Sequence, residues 1–166
     1  MRPGPADLRI RPARRADVDD LLRIEERAFA IDRIPRRSFR RFVASPSCRL
    51  LVATREGALV GYALVLFRAR AAVARLYSIA TAPEAVRRGV GTALLAAAER
   101  ATIARKQAVL RLEVHENNAT AIERYRKAGY LMFGRYTAYY ADGGDALRFE
   151  KQFTPRRKSS LPNRRS

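Results

Sequence analysis

The segment LRIRPA, from Leu8, alternates apolar and polar side chains and predicts a strand. The period then lengthens. Over DVDDLLRIEERAFA, residues 17–30, Val18, Leu21, Leu22, Ile24 and Phe29 supply a mostly apolar helical face. The segment RIPRRSFRRFVAS gives a turn and a second short helix that must end before Pro46. Two β-rich runs follow in RLLVATREGALVGYALVLFRA, folded about Glu56-Gly57. VARLYSIATAP is another strand, stopped by Pro83, and a helix runs from near Gly89 to about Lys106. Strict alternation returns in AVLRLEVHE, with Leu110, Leu112 and Val114 on one face and Arg111, Glu113 and His115 on the other. NATAIERYRKA is a helix closed by Gly129 as a left-handed cap. The strands YLMFGRYTAYY and ALRFEKQF flank ADGGD, whose Asp142-Gly143 pair predicts a hairpin turn.

The resulting order is strand, two helices, three strands, helix, strand, helix, two strands, with no internal repeat. It predicts an α/β chain built on a mixed sheet of about seven strands with about four helices, and a strand-helix-strand crossover at its centre. Residues 1–153 read as one domain, and 154–166, TPRRKSSLPNRRS, as a basic tail expected to be disordered.

Composition narrows the function classes. No apolar run is long enough to cross a bilayer, and the charged start MRPGPADLRIRPARR lacks a secretory h-region, so a cytoplasmic protein is expected. The one cysteine, Cys48, excludes an internal disulfide and reads as a packing residue. The sole histidine, His115, has no second histidine to join as a zinc ligand, and no metal site is expected. A net charge of +18 favours an anionic partner: nucleic acid, the ribosome or a phosphorylated cofactor. However, 30 of the 34 basic residues are arginines scattered through the chain, which a compositional bias would also give.

The candidate chemistry begins at AVRRGVGTALL, where Gly89 and Gly91 fall at a strand-to-helix turn. Glycines there bring a ligand close to backbone, and the unpaired N–H groups of a first helical turn suit a phosphate. A tight turn alone would also use them. No Gly-Lys-Ser/Thr follows, so this is not a Walker loop. As a dinucleotide fingerprint it has Gly89, Gly91 and an acidic Glu113 after the next strand, but Leu94 where the third glycine belongs. In LEVHENNATAIERYRKAGY, Asn118 is a predicted helix N-cap, and Tyr125 lies two turns on, about 10 Å along nearly the same face. An extended cofactor arm could run from the glycines between two adjacent strands toward both. Each residue alone is equally explained as a cap or as core.

Together these segments resemble the GCN5-related N-acetyltransferase (GNAT) family over nearly the whole chain. VRRGVG occupies the place of the family's Gln/Arg-x-x-Gly-x-Gly/Ala loop, with Val86 departing from the usual Gln or Arg. LEVHENNATAIERYRKAGY and YYADGGDAL look most like its RimI-like branch of protein N-terminal (ribosomal-protein alanine) acetyltransferases. AFAIDRIPRRSFRRF lacks that branch's Pro-Trp in the segment bordering the acceptor. The resemblance implies a single-domain GNAT fold with a mostly antiparallel twisted sheet, acetyl-CoA as co-substrate, no metal, and direct transfer to an amine. It implies Glu113 as base and Tyr125 as the acid that protonates the CoA thiolate. Ile79, Ala80 and Thr81 would pair with the pantetheine arm, Arg87, Arg88, Gly89, Val90, Gly91 and Thr92 would meet the pyrophosphate, and Asn118 would steady the arm. Tyr139 and Tyr140 would contact an acceptor peptide. The acceptor implied is a protein N-terminus. A small amine, an internal lysine, and a basic RNA- or ribosome-binding module with a degenerate cofactor site are the alternatives.

Overall fold

The computed structural model describes residues 7–86 and 88–153. Arg87 and the basic tail inferred over 154–166 lie outside the described residues. Seven strands form one sheet: β1 Leu8–Pro12, β2 Cys48–Arg55, β3 Ala58–Leu66, β4 Val73–Thr81, β5 Val109–His115, β6 Leu131–Tyr136 and β7 Ala146–Gln152. Four α-helices accompany them: α1 Val18–Ala28, α2 Arg36–Ala44, α3 Val90–Ala104 and α4 Ala119–Lys127. The spatial order is β1-β2-β3-β4-β5-β7-β6, and only β4 and β5 run parallel. That is the mixed sheet the pattern predicts, mostly antiparallel as the family resemblance implies, with α3 as the crossover.

The alternation in β5 is kept: Leu110, Leu112 and Val114 are buried, while Arg111, Glu113 and His115 are half-buried on the other face. The alanine-rich α3 buries Val90, Leu94, Leu95 and Ala98 in the main core. Its close approach to the sheet is supplied by Gly61 of β3. A Cβ there would lie 2.8 Å from the Ala80 carbonyl oxygen and 2.9 Å from Leu94 Cδ1. The third glycine missing from the loop is therefore replaced by one on a strand, beneath Leu94.

Two acidic side chains are buried with partners. Asp17, before α1, accepts from Arg11 Nη1 and Nη2 at 2.7 and 2.9 Å and from the Arg14 backbone N–H at 2.7 Å. Those donors hold its carboxyl below the usual carboxylate range despite burial. Glu25 of α1 accepts from the Tyr62 hydroxyl on β3 and from the Ile34 N–H at 3.2 Å, and Tyr62 also meets Ser78 Oγ of β4 at 2.8 Å. Burial pushes the Glu25 carboxyl up. This chain of contacts pins α1 beneath the middle of the sheet.

One prediction is corrected. The strand expected through Tyr140 stops at Tyr136, and residues 137–145 form a longer connection. Its tight turn lies inside it, where Gly143 N–H donates to the Tyr140 carbonyl at 2.9 Å with Gly143 at φ +80°. Asp145 fixes the connection by accepting from the Ala138 N–H and from Arg135, at 2.9 and 2.7 Å. Local hydrogen bonding has overridden the aromatic strand pattern. Tyr139 and Tyr140 consequently sit on a loop.

Candidate active site

Pairing between β4 and β5 runs only from Val73↔Val109 to Leu76↔Leu112. Beyond it β4 stays with β3 as far as Gly61↔Thr81, through an irregularity at Leu64/Val65 that leaves Tyr77 unmatched. The added twist of such a bulge turns the end of β4 away from β5. Residues 77–81 therefore present an edge with no β5 partner, including predicted Ile79, Ala80 and Thr81. An extended ligand can be held there by backbone hydrogen bonds.

At the end of that edge opens a pocket of about 290 Å³ lined by Thr81, Ala85, Val86, Gly89, Gly91, Thr92 and Arg124. The two glycines have different reasons to be there. Gly89 is the α3 N-cap at φ +79°, a left-handed conformation costly for other residues. Gly91 has no such φ. A Cβ on it would lie 2.6 Å from Cζ of Arg124. The first bond into the helix from this cap is from Ala93 N–H to the Gly89 carbonyl at 3.0 Å, leaving the preceding N–H groups free for an anion. Val90 is buried in the core, so only its backbone can serve a ligand, and exposed Arg88 does not line the pocket. Among the described residues no three His, Cys, Asp or Glu side chains are grouped to hold a metal ion, and no helix is long and apolar enough to cross a membrane.

Glu113 lies one residue past the last β4–β5 pair. Its Oε2 accepts from Arg75 Nε of β4 at 3.0 Å, and its carboxylate is 10% exposed. Arg148 Nε of β7, opposite Glu113 in register, stands 3.7 Å from Oε1, too far for a hydrogen bond. Oε1 is left with free lone pairs. Arg111, a partner that the strand pattern would offer, instead pairs with Glu150 at 2.8 Å. Arg75 also donates from Nη2 to the Tyr139 hydroxyl at 2.9 Å.

Tyr125 approaches from the other face of the sheet. Asn118 caps α4 as predicted, its Oδ1 accepting from the Ala121 N–H at 3.2 Å. Two turns on, Tyr125 is buried against Tyr130 and Phe149, with ring centroids 5.7 and 6.3 Å away. Phe149 is opposite Leu112 in register, on the face away from Glu113. Burial pushes the Tyr125 phenol up to about 12, so it is protonated at neutral pH. Tyr140 stacks on His115 at 5.0 Å, and burial with the fields of Tyr139, Glu113 and Tyr125 pushes its phenol up further. Asp142 fixes His115 by meeting Nε2 at 2.9 Å, while Nδ1 accepts from the Asn117 N–H at 3.1 Å. The tyrosine loop meets the α1–α2 connection where Ala141 N–H donates to Asp32 at 3.2 Å.

The fold thus brings Glu113, Tyr139 and Tyr140 together and places Thr81, Gly89, Gly91 and Thr92 around one pocket. Cys48 is buried beside the Phe42 carbonyl, with its thiol pushed up by burial, as a packing residue. Three arginines were missed by sequence reading: Arg75, Arg124 and Arg148. Only their cross-strand or cross-helix partners distinguish them from the other arginines.

The chain resembles known acetyltransferases throughout. The Acetyltransferase (GNAT) family model matches residues 17–130. The N-alpha-acetyltransferase RimI of Mycobacterium tuberculosis is 33% identical over 153 residues, covering 90% of this chain and 91% of that protein. An N-alpha-acetyltransferase of Sulfurisphaera tokodaii is 31% identical over 152 residues, covering 84% of this chain and 90% of that one. The crystal structure of the ribosomal-protein-S18-alanine N-acetyltransferase from Escherichia coli superposes with a TM-score of 0.82 at 25% identity, covering 93% of this chain and 99% of that chain. The chain belongs to the acetyltransferase (GNAT) family.

Proposed function

We propose that this enzyme transfers acetyl from acetyl-CoA directly to the N-terminal α-amine of a protein. The observation that carries the reading is the parting of β4 from β5 with Glu113 on one face and Tyr125 on the other. In this reading the CoA pyrophosphate takes the first N–H groups of α3 and the pantetheine arm runs along Ile79, Ala80 and Thr81, while Asn118 is assigned to the arm by the family resemblance. What supports the fit is that helix N–H donors at Gly89 and Gly91 line a pocket beside Thr81, the end of a strand edge without a β5 partner.

The amine must lose a proton to attack. An α-amine of pKa near 8 is about one-tenth neutral at pH 7, at a cost of about 1.4 kcal/mol, whereas lysine near 10.4 costs about 4.6 kcal/mol. Glu113 Oε1, directly or through water, accepts that proton while Arg75 holds Oε2. The amine nitrogen bonds to the thioester carbonyl carbon, the C–S bond breaks, and the Tyr125 phenol protonates the sulfur. Tyr139 and Tyr140, on the loop facing the α1–α2 connection, border the acceptor.

A ribosomal protein fits as acceptor because of the charge of +18 and the exposed Arg33, Arg36, Arg37, Arg40 and Arg41 around α2, a surface suited to RNA phosphates. The test is a peptide panel with free or blocked N-termini, incubated with acetyl-CoA and read by mass spectrometry. Acetylation confined to free N-termini is expected. Transfer to blocked, lysine-containing peptides overturns the α-amine assignment.

A further inference from the structure

Arg124 stands in the α3 pocket with no carboxylate partner among the described residues. It leaves the last turn of α4, where a cation suits the helix dipole, and reaches across to the start of α3, where a cation opposes it. Its guanidinium occupies the space that a Gly91 side chain would fill, with Cζ, Nη1 and Nη2 at 2.6, 2.8 and 2.9 Å from the place of that Cβ. A positive helix end and a guanidinium therefore converge on one small cavity. An anion between them relieves both.

Another lining residue explains why the charge comes from α4. Val86, where the related loops carry Gln or Arg, is 44% exposed at the pocket and has no polar group. We propose that Arg124 donates to the diphosphate of CoA and supplies from α4 the side-chain contact that Val86 cannot make. The guanidinium fork suits two phosphate oxygens at once. Gly91 is then glycine for the sake of Arg124, since a methyl group there takes the guanidinium's seat. Arg124 also immediately precedes Tyr125, so one segment of α4 contacts the diphosphate and faces the thioester.

This inference rests on the acetyl-CoA reading of the pocket, and one calorimetric titration series separates the two. The full-length chain and its Arg124→Met variant are titrated with CoA, with dephospho-CoA, which lacks the 3′-phosphate, and with S-acetylpantetheine, which has no phosphate. R124M is expected to weaken CoA and dephospho-CoA alike by about tenfold or more and to leave S-acetylpantetheine unchanged. Equal CoA binding by both proteins overturns the assignment. So does a matching loss for S-acetylpantetheine, which marks a structural role, or a loss confined to CoA, which marks a 3′-phosphate contact. Failure of the unaltered chain to bind CoA overturns the cofactor reading itself. An unchanged Tm of free R124M is expected, because the Arg124 side chain makes no hydrogen bond or ion pair among the described residues.

Discussion

Arg75 donates from Nε to Glu113 Oε2 at 3.0 Å, from β4 to β5, just where the two strands cease to pair. The same guanidinium holds Tyr139 at 2.9 Å, so one residue spans the proposed base and the loop proposed to border the acceptor. Glu113→Gln is expected to lower kcat by about 10²-fold or more while leaving the Kd for acetyl-CoA within about twofold. Arg75→Met frees both partners and is expected to raise the peptide KM as well as lower kcat. Steady-state kinetics with a free-N-terminal peptide make the check, and full activity of E113Q would remove Glu113 from the mechanism.

Tyr125 carries a sign that can be tested. Its folded phenol titrates at about 12 against an ordinary value of 10, because burial penalises the phenolate. The folded state therefore holds this proton more tightly, and the stability it contributes is present below pH 10 and is lost as pH rises from 10 toward 12. In turnover, the donor stays protonated while the α-amine deprotonates, so kcat/KM rises to a plateau near pH 8–9 without a Tyr125-dependent alkaline fall below about pH 11. Tyr125→Phe lowers the plateau by about 10²-fold and leaves the shape of the rise. An alkaline limb near pH 9 that Y125F abolishes would contradict the assignment.

The loop glycines separate into a backbone requirement and a spatial one. Gly89→Ala keeps open space around the new methyl but forces an L-residue to φ +79°, a cost of about 1 kcal/mol in thermal unfolding. Gly91→Ala has no such backbone strain, and the methyl displaces only the flexible end of Arg124. Its expected signature is a weakened CoA titration with nearly unchanged Tm. In an R124M background that weakening should shrink, which a double-mutant cycle measures.

Acid stability should depend on Asp17. Arg11 and the Arg14 N–H lower its folded pKa, so the stability it contributes is present above the unfolded value of 3.8 and is lost as pH falls through the lower folded value. Asp17→Asn is expected to cost about 1–3 kcal/mol at pH 7 and much less at pH 2–3. Urea unfolding at both pH values decides it; an equal loss at both would mean that packing, not charge, dominates.

Much of this arrangement could be read along the chain because it is local. The cap at Asn118, the left-handed Gly89 and Gly129 and the alternation in β5 each depend on residues within a few positions, where backbone sterics and period leave little choice. The resemblance carried by VRRGVG, LEVHENNATAIERYRKAGY and YYADGGDAL then assigned Glu113 and Tyr125 their candidate roles. What misled was also local: YLMFGRYTAYY is rich in aromatic residues, as strands are, yet Asp145 binds the Ala138 N–H and takes the tyrosines into a loop.

By itself the sequence determined the succession of elements, the cap at Asn118 and which face of β5 meets the core, since these follow from periodicity and local capping. Only the tertiary structure decided which of so many arginines matter. Arg75 and Glu113 lie 38 residues apart on different strands, and Arg124 of α4 meets Gly91 of α3. Such pairings arise from where the sheet parts and how α3 and α4 pack beside it. A charge carries no mark along the chain of the partner it will face.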